Sequence, residues 1–245
     1  MIAIVVGASA GLGRALAGEL AAAGRDLVVV SSDARDLEAL ASDLRIRHGV
    51  RVVAVPFDLS GERSSGVERL GEAAAELGSP DALLLPLGWT AASDDATLDM
   101  ETAERLVRTN FLSVAAVVGR FLPELQRRPH ASVVGFGSVA ATRGRGTNVF
   151  YAASKRALET YFESLRHACA GTPVRVSFYV LGYLETNLAF GRRTLLPRAD
   201  PARLAARVVR NLGRREGVLY HPRAWRLVAA ALPLIPFSVY RRLKV

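Results

Sequence analysis

The chain predicts an α/β fold: a doubly wound parallel sheet of about seven strands flanked by helices. Three observations carry that prediction. Short runs rich in Val, Leu and Ile alternate with longer amphipathic stretches along the whole chain, the pattern of repeated strand–helix units. Most of the short runs are apolar throughout, as expected of strands buried on both faces. The first run, MIAIVVGASAGLG, passes directly into a glycine-rich turn.

The elements follow in order. AIVVG (3–7) has no charged region before it and a turn after it, so it reads as a first strand rather than a signal peptide. Further strands are expected at DLVVVS (26–31), RVVAVP (51–56), ALLLPLG (82–88), SVVGFGS (132–138), VRVSFYV (174–180) and GVLYH (217–221). Helix-like segments lie between them near 11–23, 34–47, 62–77, 100–127, 148–170 and 201–213. No repeat, low-complexity tract or Gly/Ser linker divides the chain, so residues 1–245 are expected to form one domain.

A chain of 245 residues, 50% hydrophobic and 22% charged, is long enough to bury a substantial core. The single cysteine, Cys169, excludes an internal disulfide framework and fits a reducing compartment. No stretch approaches the roughly 18–20 uninterrupted apolar residues of a spanning helix, and a cytoplasmic protein is expected. The net charge of +9 raises the question of nucleic acid. The arginines are scattered, however, with no aromatic-interleaved basic block and no zinc-finger spacing. Neither a nucleic-acid partner nor a metal is expected.

Two features carry chemistry. Gly7, Gly11 and Gly13 flank the turn from the first strand to the first helix, where glycine lets backbone approach a pyrophosphate and a helix N-terminus offers free N–H groups. Tyr151 and Lys155 stand four residues apart on one predicted helix face, in a chain whose only other lysine is Lys244. A phenol alone titrates near ~10, and a nearby ammonium favours its ionised form. A compact ammonium with three donors suits that role better than arginine's planar fork. Ser138 ends a strand at the carboxyl edge, either as a turn residue or as a donor to a substrate oxygen. Asn110 lies inside a predicted long helix that it forms poorly, either kinking it or holding a water.

Together these residues resemble the short-chain dehydrogenase/reductase family, over nearly the whole chain. The resemblance implies a Rossmann-type fold and an NAD(P)-dependent oxidoreductase, interconverting a carbonyl and a secondary alcohol by hydride transfer to or from nicotinamide. It places the Asn–Ser–Tyr–Lys tetrad on Asn110, Ser138, Tyr151 and Lys155. Tyrosine there is the general acid/base, lysine tunes it and binds the nicotinamide ribose, serine orients the substrate oxygen, and asparagine holds a relay water. Cofactor contacts are implied for Gly7, Ser9, Gly11, Leu12 and Gly13 in the glycine motif, for Asp58 (an adenine contact) and Leu59, for Gly88, and for Leu184 and Thr186. Two departures stand out: LPLG replaces the usual N-N-A-G, and Leu181–Gly182 replaces P-G. After the second strand, Ser31 and Ser32 occupy the cofactor-selecting places. Neutral hydroxyls with Arg35 nearby favour NADP(H) over NAD(H), while Asp33 could instead serve NAD. Homodimers or homotetramers built on the long helices are implied by resemblance alone.

Residues 182–215 are expected to cover the substrate, with Phe190, Leu195 and Leu196 beside Arg192 and Arg193. Arg143 and Arg145 lie near the site's mouth, either to hold a phosphate or carboxylate or as solvated loop residues. The segment 222–245 is apolar and basic and is broken by Pro233 and Pro236. It could rest on a membrane surface, receive a lipid chain, pack over the substrate site or enter a dimer interface. This ending, TNVFYAASK and LPLG are also similar to a narrower branch, the decaprenylphosphoryl-2-keto-ribose reductases, which implies a lipid-linked keto-sugar substrate. The alternative function is a non-catalytic NAD(P)-binding sensor or membrane-peripheral scaffold.

Overall fold

The computed structural model, which describes residues 1–61, 63–185 and 198–242, alternates strand and helix from its first residues. In chain order these are β1 (Ile2–Val6), α1 (Gly11–Ala22), β2 (Asp26–Ser31), α2 (Ala34–His48), β3 (Val52–Pro56), α3 (Arg63–Leu77) and β4 (Ala82–Leu85). After them come α4 (Met100–Val107), α5 (Ser113–Leu125), β5 (Ser132–Ser138), α6 (Val149–Ala168), β6 (Arg175–Leu181), α7 (Pro201–Asn211) and β7 (Gly217–His221). Two short helices, α8 (Trp225–Ala231) and α9 (Phe237–Tyr240), end the described chain.

The strands form one parallel sheet in the order β3-β2-β1-β4-β5-β6-β7. Alternate residues of each strand face opposite sides. Ile4, Val6, Val28, Val30, Leu83 and Leu85 pack with α3, α5 and α6 through Leu70, Phe121, Leu158 and Phe162. Ala3, Val5, Leu27, Val29 and Leu84 pack with α1, α2 and α7 through Leu16, Leu37 and Leu204. Both faces are covered, which is why the strand sequences are apolar without alternation. Strand order reverses between β1 and β4, and the crevice beyond their carboxyl ends is where such sheets place ligands.

Two expectations are corrected. The strand expected to run to residue 88 stops at Leu85, because Pro86 has no N–H for the ladder. The helix expected over 100–127 is two helices joined by a π-helical turn, Arg108–Leu112, centred on Asn110. Within this turn the buried side chain of Asn110 bonds the Trp89 backbone. In the C-terminal segment the breaks fall at the two prolines: Pro233 lies in a 3-10 turn (Leu232–Leu234) and Pro236 precedes α9. Among the described residues, no helix is long and apolar enough to cross a membrane.

Candidate functional site

A cleft of about 480 Å³ lies at the carboxyl ends of β1, β2, β4, β5 and β6. Gly7 leaves β1 at φ +93°, a conformation glycine alone adopts at little cost. The N–H groups of Gly7 and Ala8 donate to the Val30 carbonyl at 2.8 and 2.9 Å, tying the turn to β2. No side chain caps α1, and its first residues line the cleft, at the positive end of the helix dipole. A Cβ on Gly13 would overlap the Gly7 carbonyl; α1 reaches this position only because residue 13 has no side chain. Ser9, Gly11, Leu12 and Gly13 all line the cleft.

At the end of β2, Ser31 and Ser32 line the cleft, while Asp33 and Arg35 are exposed and do not. The Ser9 and Ser31 hydroxyls are 2.6 Å apart. Asp33 is engaged elsewhere: its carboxylate accepts the Asp36 N–H at 2.9 Å and caps α2. A nearby cation absent from the sequence-based set is Arg14, whose Nε donates to the Ser9 carbonyl at 2.9 Å. Its signal was its place directly after Gly13 in the glycine motif.

Asp58 and Leu59 line the next wall. The Asp58 carboxylate accepts the Ser60 N–H at 2.8 Å, and the Leu59 carbonyl accepts from Ser113 Oγ at 2.6 Å. Asn110 is fully buried. Its amide accepts the Trp89 N–H at 2.8 Å and donates to the Trp89 carbonyl at 3.0 Å and to Ser154 Oγ at 3.3 Å. The Asn110 side chain clamps the loop after β4, and Asn110 is not among the residues lining the cleft. Above that loop, Arg105 lies over the Trp89 ring at 4.6 Å.

Ser138, Tyr151 and Lys155 meet in the cleft, Ser138 from the end of β5 and the other two from the first turns of α6. Ser138 Oγ accepts the Ala140 N–H at 3.2 Å, which leaves its own O–H to donate elsewhere. Lys155 is only 3% exposed. Its ammonium donates to the Leu87 carbonyl at 2.6 Å and the Phe136 carbonyl at 3.2 Å. Burial pushes it down from the ordinary lysine value of 10.5 to about 7. The departure LPLG thus has a structural place: Leu87 supplies the carbonyl that holds Lys155, and Gly88 lies beside the ammonium.

The start of α6 depends on a residue with no local sequence signal. Asn148, just before the helix, has left-handed φ of 55°. The buried carboxylate of Asp94 accepts the N–H groups of Phe150 and Tyr151, each at 2.9 Å. This satisfies two of the orphan donors every helix start presents.

Leu184 is buried and lines the cleft, pairing with Ala199 in an isolated bridge. Thr186, Phe190, Arg192, Arg193, Leu195 and Leu196 lie outside the described residues. The remaining wall comes from the C-terminus. Trp225, Val228, Leu232 and Tyr240 line the cleft with Tyr183, whose ring meets Trp225 edge-on at 5.9 Å. A Cβ on Gly182 would fall inside the Trp225 indole; glycine here lets the tail close down on the site. Arg143 fastens it, donating to the Leu232 carbonyl at 2.7 Å and to the Ile235 carbonyl, and stacking on Tyr240 at 3.9 Å. The described part of the C-terminal segment thus packs over the site, and the half-buried Arg143 at the cleft wall binds its backbone through Nη1. Arg145 lines the cleft with its Nε buried and without a hydrogen-bond partner.

Residues 1–194 match the family described as short chain dehydrogenase. An uncharacterized oxidoreductase of Myxococcus xanthus is 33% identical over 186 residues, covering 76% of this chain and 73% of its own. Another, from Mycobacterium tuberculosis, is 27% identical over 240 residues, covering 98% and 96%. Among solved structures, an NADPH-bound short chain oxidoreductase of Pseudomonas aeruginosa with an atypical catalytic centre superposes with a TM-score of 0.79. It is 25% identical, with 89% of this chain and 94% of that one covered. With its glycine turn at the strand switch and a family match over most of its length, the chain is an oxidoreductase of the short-chain dehydrogenase family.

Proposed function

We propose that the chain reduces a ketone or aldehyde, or oxidises the corresponding alcohol, using NADP(H) in preference to NAD(H), with Tyr151 as general acid/base. The observation that carries this reading is convergence. The glycine turn, the Ser31–Ser32 strand end, and Ser138, Tyr151 and Lys155 all open on one cleft.

The residues present fit a nicotinamide dinucleotide. Gly13, with no Cβ, lets the start of α1 close against the Gly7 carbonyl in a tight strand-to-helix turn, and that uncapped helix start suits a pyrophosphate. Ser31 and Ser32, with the Arg14 guanidinium beside Ser9, suit a 2′-phosphate, and no carboxylate at the end of β2 lines the cleft to oppose it. The NADPH bound by the Pseudomonas aeruginosa relative supports the same choice. Bound there, the nicotinamide supplies the hydride that reduces a carbonyl carbon, or accepts it from an alcohol. Ser138 donates its O–H to the substrate oxygen and fixes its position. Tyr151 gives that oxygen its phenolic proton as negative charge develops, and takes it back in the reverse direction. Lys155, held by two carbonyls, places a positive charge in the same pocket, which favours the phenolate that Tyr151 leaves behind. Asn110 and Asp94 are positioning residues, the first through the Trp89 loop and the second through the start of α6.

The substrate side is apolar and aromatic, built from Tyr183, Trp225, Val228 and Leu232, with Arg145 as the charged group. That wall suits a carbonyl borne on a larger, partly apolar molecule. The lipid-linked keto-sugar implied by the branch resemblance is one such compound. Thermal stabilisation by NADPH and NADH, measured separately, tests the cofactor assignment, because ligand binding to the folded state raises its stability as RT ln(1 + [L]/Kd). A larger shift with NADPH is expected. A shift with neither overturns the reading, and a larger shift with NADH returns selection to Asp33.

A further inference from the structure

We propose that the outer face of the C-terminal segment, residues 223–242, docks on an anionic phospholipid surface and sets the mouth of the cleft against it. The segment has two faces. Its inner side chains line the cleft, and Ala229 and Tyr240 are buried. Its outer side chains include four of the eight large exposed apolar residues among those described: Leu227, Leu234, Phe237 and Val239 are 75%, 81%, 70% and 50% exposed. The other large exposed apolar residues, Met1, Ile46, Met100 and Val218, are scattered in the sequence. Isolated exposed apolar side chains need no explanation, whereas several within one short segment mark an interaction surface.

Charge identifies the occupant. Arg223, Arg226, Arg241 and Arg242 are exposed at the two ends of this group, and no acidic residue follows Glu216 in the chain. A second copy meeting this face about a two-fold axis would set these arginines against the same arginines, with no carboxylate in the segment between them. A bilayer rich in anionic lipid offers what the face lacks. Its phosphates meet the arginines at both ends, while Leu227, Leu234 and Phe237 enter the boundary between headgroup and acyl chain. The short helices, of seven and four residues, can lie in that plane and cannot span it. Arg143 couples the surface to the site, since the turn it holds separates the exposed Leu234 from the cleft-lining Leu232. That the docked cleft would then admit a carbonyl carried by a membrane lipid rests on the function proposed above; the docking itself does not.

The test is sedimentation of the full chain with vesicles of phosphatidylcholine, with and without about one third phosphatidylglycerol. It needs neither cofactor nor substrate, so it can fail while NADPH-dependent turnover of a soluble ketone succeeds, and the reverse. Wild type is expected to partition onto the anionic vesicles about tenfold more than onto neutral ones, and to be released by about 0.5 M salt. Two double variants, Leu234→Asp with Phe237→Asp and Arg241→Gln with Arg242→Gln, should each lose about tenfold in partitioning. Their thermal shift with NADPH should be unchanged, showing that both remain folded. Equal sedimentation with both vesicle types, or variants that bind like wild type, would overturn the proposal. So would an apolar-face variant that converts a larger oligomer to a smaller one, because a second copy would then cover the face.

Discussion

Asp94 accepts the backbone N–H of Tyr151 at 2.9 Å across 57 residues of chain. Because the same carboxylate also takes the Phe150 N–H, the first turn of α6, and with it the phenol that faces the cleft, is set by a loop after β4. Replacing Asp94 with Ala leaves two partly buried backbone donors unpaired and should cost about 1–3 kcal/mol in urea denaturation. Turnover should fall with it. NADPH affinity should change much less, because the glycine turn is untouched. Asp94→Asn, which keeps one acceptor oxygen, should recover part of both losses.

The Lys155 ammonium gives a pH dependence with a definite sign. In the unfolded chain a lysine keeps its proton to about 10.5, whereas in the folded protein burial lowers the value to about 7. Between these values the unfolded state binds more protons, so stability contributed by this group rises with pH from about 7 toward 10. Lys155→Met removes the buried charge. Without cofactor, the variant should be more stable than wild type at pH 6–7 by about 1–3 kcal/mol. The gap should narrow as pH rises toward 10, as read from the difference between the two Tm–pH curves. Turnover should be lost.

Two glycines of α1 should respond in opposite directions. Gly13→Ala puts a Cβ into the Gly7 carbonyl and should abolish stabilisation by NADPH. Gly18 lies in the same helix with nothing within 4 Å of an added Cβ. Gly18→Ala should therefore raise stability by about 0.5–1 kcal/mol and leave NADPH binding alone. Thermal melts of both variants with and without NADPH check the pair.

Loosening the tail should act on substrate rather than cofactor. Arg143→Gln loses the Nη1 donor shared by the Leu232 and Ile235 carbonyls and the stack on Tyr240. KM for a bulky ketone should rise about tenfold, the loss of one or two such contacts, while NADPH affinity stays within about twofold. Steady-state kinetics separates the two.

How much of this was legible in the sequence follows from how far each contact reaches. The sheet and its flanking helices were readable because burial on both faces leaves strands such as DLVVVS uniformly apolar. Gly7, Gly13, Ser138, Tyr151 and Lys155 were readable because each sits at a fixed place in its own element: a strand end, a turn or the first turns of a helix. Asn110 was readable as an oddity within a helix but not as a clamp, since its partner Trp89 lies 21 residues away. Asp94, Arg143 and Trp225 act on groups far along the chain, and no local pattern announces such contacts. Asp33 carries two signals at once: its position suggests cofactor selection, and one oxygen of its carboxylate caps α2 by a local rule.

The most direct test of the central claim is Tyr151→Phe, assayed for NADPH binding by fluorescence and for turnover of the first ketone that wild type reduces. The phenyl ring keeps the packing and loses the hydroxyl, and with it the proton to be transferred. NADPH affinity within about twofold of wild type, with kcat lowered by about 10²–10⁴, is the predicted result. Turnover within a few-fold of wild type would contradict it, because the proton would then come from elsewhere.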